Sequence, residues 1–182
     1  FQLKLKSLIP DVFVVVAFRI LPNSILEIPK VGAVNLHTSQ LPKYRGAAPI
    51  QHALLNGDSE TGITTFLIES KVDTGAILMQ KKINIENEDN FGSLSEKMSG
   101  LGIKLVMETL NQLEEGSHNP IQQDNDLASP APKITKEMCA INWNDPVEEI
   151  HNMVRAFSPF PGAFTTMNGK RMKIFKSLIL DD

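Results

Sequence analysis

Chemistry in this sequence is concentrated in three side chains and one stiff loop. In Asn35-Leu36-His37 the polar residues lie two apart, so on a strand both project from one face while Leu36 goes to the other. An amide donor beside an imidazole, set at the carboxyl edge of an α/β sheet, can hold and polarise a carbonyl. The same spacing also suits an asparagine that caps a turn and a satisfied, half-buried histidine. Val72-Asp73-Thr74-Gly75 puts a carboxylate in a tight turn, where an aspartate ordinarily bonds backbone two residues on. Ser39 to Pro49 is restricted by Pro42, Gly46 and Pro49 and carries Tyr44 and Arg45, as either a stiff structural loop or one that wraps a ligand. His52 and His118 read as surface residues and His151 as structural. No phosphate loop, GxGxxG, Cys/His metal spacing or serine nucleophile elbow occurs.

The elements that must position these groups follow from composition and pattern. A chain of 182 residues, 42% hydrophobic and 21% charged, is that of a folded domain rather than a disordered segment. Its single cysteine, Cys139, excludes an internal disulfide framework, and a net charge of −3 leaves any nucleic-acid contact to a local basic patch. The chain opens without methionine and closes on a strand-like segment, so it is expected to be a fragment. Asp11 to Ala17 predicts a strand buried on both faces. A short helix from Leu21-Pro22-Asn23-Ser24, a strand over Ala33–His37, a helix over Pro49–Leu55 and strands over Ile63–Glu69 and Ala76–Ile85 follow. Leu94, Met98, Leu101, Leu105, Leu110 and Leu113 make one stripe of a helix, with Ser93 and Glu96 as a capping box and Gly116 as its C-terminal cap. His118 to Pro132 is polar and aperiodic and reads as a linker. Asp145-Pro146 starts another helix with the proline at its first position, and Asn168-Gly169 marks a hairpin. Alternating strands and helices, then strands alone, indicate an α/β domain followed by the opening of a small β domain.

The run Asn35-Leu36-His37-Thr38-Ser39-Gln40-Leu41-Pro42-Lys43-Tyr44-Arg45-Gly46-Ala47-Ala48-Pro49-Ile50, followed by Thr61-Gly62-Ile63-Thr64 and Asp73-Thr74-Gly75, resembles the folate-dependent formyltransferases. The likeness continues through Ala131-Pro132-Lys133-Ile134, Ile141-Asn142-Trp143 and Val154-Arg155-Ala156-Phe157-Ser158-Pro159-Phe160-Pro161-Gly162-Ala163. It implies a Rossmann-like formyltransferase fold with a central, mainly parallel sheet, of which the C-terminal half is present, followed by the start of a small OB-like β-barrel. The implied division is a partial catalytic domain over 1–116, a linker over 117–137 and the start of the C-terminal domain over 138–182. The family's catalytic triad maps to Asn35, His37 and Asp73. Its folate loop maps to Ser39, Gln40, Leu41 and Pro42, with Gln40 in place of the usual leucine; Arg19, Ile20 and Leu21 match the stretch whose main chain cradles the pterin, and Val72 would line its other side.

The co-substrate so implied is 10-formyltetrahydrofolate, with no metal. Asn35 and His37 would donate hydrogen bonds to the developing oxyanion, and Asp73 would accept from the imidazole, directly or through water, and help draw a proton from the attacking amine. The implied acceptor is the amino group of initiator methionyl-tRNA, for translation initiation by a cytoplasmic monomer without membrane contact, in a bacterium or an organelle matrix. The branch acting on amino-sugar nucleotides shares the triad, and a non-catalytic folate- or RNA-binding module is a further alternative. Arg45-Gly46-Ala47-Ala48-Pro49 matches the tRNA branch. Lys170, Arg171, Lys173 and Lys176 are either a phosphate-tracking patch or an edge strand guarded by lysines.

Overall fold

The computed structural model describes residues 1–17 and 20–180. In chain order the elements are α1 (Gln2–Ser7), β1 (Val12–Val16), α2 (Asn23–Leu26), β2 (Gly32–His37), β3 (Arg45–Gly46), α3 (Pro49–Leu55), β4 (Glu60–Leu67) and β5 (Ile77–Asn84). They continue with α4 (Phe91–Glu115), β6 (Pro130–Ala131), α5 (Val147–Ala156), β7 (Ala163–Met167) and β8 (Lys170–Ile174). The α/β class holds. The main sheet has the order β1-β2-β4-β5, in which β1 and β2 are parallel while β4 runs antiparallel to both β2 and β5. Parallel character is thus confined to the β1–β2 pair, and Asp73-Thr74-Gly75 reverses the chain between β4 and β5 without a crossover helix.

Strand β1 differs from its expected burial. Among the described residues it pairs with β2 alone, and Val14 and Val16 are 43% and 53% exposed. An apolar run of this length describes an edge strand as well as a central one, since the pattern does not say what covers its second face.

Helix α4 lies over one face of the sheet. Its buried positions are Leu94, Met98, Gly102, Leu105, Thr109 and Leu113, so a glycine and a threonine occupy the stripe that Leu101 and Leu110 only flank. Each exception answers a residue of the sheet. Leu36 fills the space above Gly102, where an added Cβ would stand 2.7 Å from its Cδ2. The Thr109 hydroxyl meets that of Thr65 at 2.7 Å, satisfying two buried oxygens at once. Leu36 and Thr65 are register partners, so this is the helix-covered face and Asn35, His37 and Phe66 lie on the opposite one.

The N-terminus of α4 is capped by Asn90, whose side chain accepts from the Ser93 amide while the Ser93 hydroxyl accepts from Asn90 N–H. The box therefore sits three residues before the Ser93–Glu96 pair that the sequence predicts; Gly116 closes the helix in the left-handed conformation, as expected. Pro146 is the N-cap of α5, so the helix starts one residue later than expected, and Asn168 and Gly169 form the β7–β8 turn, both at positive φ. Helix α5 packs on α3, joining the C-terminal segment to the core. Among the described residues no helix is long and apolar enough to cross a membrane.

Loss of the Asn90 cap in Asn90→Ala is expected to lower the unfolding free energy by about 1 kcal/mol. Glu96→Ala leaves it unchanged. Urea denaturation of the two variants checks both.

Candidate active site

Asn35 and His37 stand on the uncovered face of β2, as their spacing predicts. The His37 ring is 6% exposed and meets Phe66 edge-on, with ring centroids 6.4 Å apart. Its Nε2 lies 2.9 Å from the Tyr44 carbonyl. A carbonyl only accepts, so in the neutral ring the proton sits on Nε2 and the lone pair on Nδ1. Nδ1 faces Asp73 Oδ2 at 3.8 Å, within reach of charge attraction or of a bridging water but too far for a direct hydrogen bond. With Nε2–H held by Tyr44, a neutral His37 has no free N–H for a substrate oxygen. The nitrogen left to work is Nδ1, which differs from the donor role expected of this ring. Asn35 is half-buried, and its Oδ1 is buried with no hydrogen-bond partner among the described residues.

Asp73 arrives from the β4–β5 turn. Its backbone is left-handed, φ 53°, and its Oδ2 accepts from the Gly46 amide at 2.8 Å. Both glycines beside this contact are required. A Cβ on Gly75 would lie 1.6 Å from the Leu67 carbonyl oxygen, and one on Gly46, at φ 129°, would lie 2.5 Å from the Ala131 carbonyl oxygen.

The loop over Ser39 to Pro49 is nailed down by Thr64, opposite His37. Thr64 Oγ1 donates to the Ser39 carbonyl and accepts from Leu41 N–H, and Gln80 Nε2 donates to the Leu41 carbonyl at 2.7 Å. Ser39 and Leu41 are 0% and 2% exposed, so their side chains and much of their main chain serve the fold. Pro42 is half-buried, Leu21 is half-buried, and Ile20 and Val72 are exposed apolar residues; Arg19 lies outside the described residues. Gln40 lines a depression of about 390 Å³ with Lys43 and Gly57–Thr61, which includes none of the three candidate catalytic side chains.

Tyr44 is an anchor rather than a ligand contact. It is 6% exposed, its hydroxyl donates to Asp58 Oδ2 at 2.7 Å, and Asn56 Nδ2 donates back to it at 2.9 Å. Burial pushes its phenol up to about 12, the Asp58 carboxylate adds to the rise, and the Asn56 amide opposes it.

The residues that the sequence reading missed are in the segment taken for a linker. Ser129 accepts at its hydroxyl from Tyr44 N–H and at its carbonyl from Arg45 N–H, after which β6 pairs in parallel with β3. Ile121 exchanges two backbone hydrogen bonds with Ile77. Gln123 donates to the carbonyls of Asp73 and Gly75 and accepts from Arg45. No periodic signal exposes such a strap, because its hydrogen bonds are made one residue at a time to distant loops.

A groove of about 590 Å³ begins beside Gly46, at Ala47 and Ala48. Lys133, Lys136, Arg171 and Lys173 line it with Phe160 and Phe164, and among the described residues no carboxylate does. Arg171 stacks on Phe164 at 4.2 Å. Lys170 and Lys176, also exposed, stay outside this lining.

Comparison with known proteins shows which family the sequence resembles. A family model described as formyl transferase matches residues 1–110, and one for the formyl transferase C-terminal domain matches residues 133–182. Methionyl-tRNA formyltransferase of Thermodesulfovibrio yellowstonii is 48% identical over 179 residues, covering 98% of this chain and 58% of the relative, so the chain spans little more than half of that protein's length. HypX from Aquifex aeolicus, solved in complex with tetrahydrofolic acid, shares the fold at a TM-score of 0.82 and 20% identity over 96% of this chain and 31% of its own. An N-formyltransferase from Helicobacter canadensis, in complex with folinic acid and dTDP-3-aminofucose, aligns at a TM-score of 0.74 and 26% identity over 90% of this chain and 60% of its own.

Tyr44 is the chain's one tyrosine, so absorbance at high pH reads it alone. Its ionisation is expected at a midpoint near 12 instead of 10. Because the folded state holds this proton more tightly, the stabilisation is complete below pH 10 and is lost as pH rises toward 12. Tyr44→Phe removes both the absorbance change and that part of the alkaline destabilisation.

Proposed function

The chain belongs to the formyl transferase family, and from that premise we propose that it transfers the formyl group of 10-formyltetrahydrofolate to the amino group of methionyl-tRNA. The observation that carries the reading is the approach of His37 Nδ1 to Asp73 Oδ2, 3.8 Å apart, on the face of β2 that Asn35 shares. A formyl group on a folate nitrogen is a weak acyl donor, and transfer needs a stabilised oxyanion, a deprotonated amine and a protonated leaving nitrogen.

These residues divide that work. The amine nitrogen attacks the formyl carbon, and the Asn35 amide donates to the oxygen as it gains charge. His37 Nδ1 takes the amine proton, directly or through water. The resulting imidazolium, its Nε2–H still held by Tyr44, faces the Asp73 carboxylate, which the Gly46 amide keeps in place. The same proton then goes to N10 of folate as the carbon–nitrogen bond breaks, so charge balances without a covalent enzyme intermediate. Exposed apolar side chains at Ile20 and Val72, with the main chain of Leu21, suit the flat pterin, while Gln40 and Pro42 are the members of the 39–42 loop least committed to the core.

The cationic, aromatic groove beside Gly46 supports a polyanionic acceptor whose reactive amine reaches the triad. The T. yellowstonii relative supports methionyl-tRNA in particular. Formylmethionyl-tRNA serves translation initiation, and the bacterial relative supports a reaction in the bacterial cytoplasm, with an organelle matrix as the alternative. The H. canadensis structure is the reason to test an amino-sugar nucleotide beside it.

Labelled formyl-folate offered to the natural full-length protein is expected to mark methionyl-tRNA. Label on a dTDP-amino sugar instead moves the acceptor, and label on neither overturns the reading. Asn35→Ala is expected to lower turnover by on the order of 10²–10³. His37→Ala and Asp73→Asn lose about 10²–10⁴ with melting behaviour preserved; near-normal turnover in either refutes its role.

A further inference from the structure

We propose that Gln123 is a positioning residue, whose carboxamide locks the Asp73 turn to Arg45 and thereby keeps the Asp73 carboxylate between the Gly46 amide and His37. The proposal rests on the formyl-transfer reading for its effect on rate, though not for the clamp itself. Gln123 is 9% exposed and its polar atoms are all engaged. Oε1 accepts from Arg45 Nε at 3.0 Å and Nη2 at 2.7 Å; Nε2 donates to the Asp73 carbonyl at 3.0 Å and the Gly75 carbonyl at 2.8 Å. Arginine only donates and carbonyls only accept, so these partners determine which end of the amide is which.

The same two loops also meet directly, at the Gly46 N–H to Asp73 Oδ2 hydrogen bond of 2.8 Å. Arg45 precedes Gly46, whose N–H carries the carboxylate, and the Gln123 donors reach the main chain of Asp73 itself. Asp73 sits in a left-handed conformation that a non-glycine residue adopts only when its surroundings enforce it. Two donors on its carbonyl and on that of Gly75 supply such enforcement. No other side chain of similar size reproduces the arrangement. Glutamate accepts from Arg45 but turns a carboxylate oxygen on two carbonyls, and alanine loses both sets of bonds and leaves the Arg45 guanidinium short of its main acceptor. Gln123 touches neither donor nor acceptor in the mechanism above and acts through Asp73 alone.

The test uses Gln123→Ala and the isosteric Gln123→Glu in the natural full-length protein, each with and without Asp73→Asn. Displacing a reacting group by about 1 Å costs on the order of 10²-fold, and a loss of kcat approaching that size, with KM for the acceptor near its normal value, is expected in both single variants. In the Asp73→Asn background neither substitution lowers kcat further, since the carboxylate they position is gone. Hydrogen exchange at the Gly46 amide accelerates in Gln123→Ala while Thr64, in the sheet, stays protected. Unchanged kcat, equal losses in both backgrounds, or undiminished Gly46 protection overturns the proposal. Should the natural protein transfer no formyl group while Gln123→Ala still exposes the Gly46 amide, the clamp stands and the formyl-transfer reading falls.

Discussion

The Gly46 amide and the Asp73 carboxylate meet at 2.8 Å, and the active-site geometry depends on that contact. The carboxylate belongs to a turn between β4 and β5, the amide to a loop after β2, and His37 to β2 itself. A hydrogen bond to a charged acceptor is among the stronger ones available to a backbone donor. Here it also sets the side chain so that its Oδ2 faces the imidazole. The close approach explains two glycines. Gly46 lies against the Ala131 carbonyl and Gly75 against that of Leu67, where no Cβ fits. Small residues at these places are a steric condition for bringing the chemistry together.

Around this contact the protein spends its polar side chains on main-chain groups of the site loops. Thr64 and Gln80 hold Ser39 and Leu41 from the sheet, Tyr44 is pinned by Asp58 and Asn56, and its carbonyl in turn holds the His37 ring. With Nε2–H committed to the Tyr44 carbonyl, the neutral imidazole keeps its lone pair on Nδ1, on the side where the carboxylate stands.

The segment from His118 to Pro132 joins this arrangement to the C-terminal part of the chain. It adds a strand residue to β5 at Ile121, a clamp at Gln123 and a parallel pair to β3 at Pro130–Ala131 before the chain reaches α5, which packs on α3. The cationic groove is lined from both sides of this crossing, by Ala47 and Ala48 next to the site and by Arg171 and Lys173 on the last hairpin.

What could be read from the sequence alone was whatever depends on neighbours in the chain. The period-two placement of Asn35 and His37, the helix over Pro49–Leu55, the Gly116 cap and the Asn168-Gly169 hairpin are local preferences, and the structure keeps them. The likeness of Asn35 to Ile50 to a known family likewise needed only residue order. Tertiary structure decided the rest. Whether the valines of β1 are central or at an edge depends on what pairs beyond them. The tautomer of His37 is set by a carbonyl seven residues away, and Gln123 finds its partners fifty and seventy-eight positions off. Periodicity and spacing cannot carry such information, because a single hydrogen bond between distant loops leaves no repeating mark on the sequence of either.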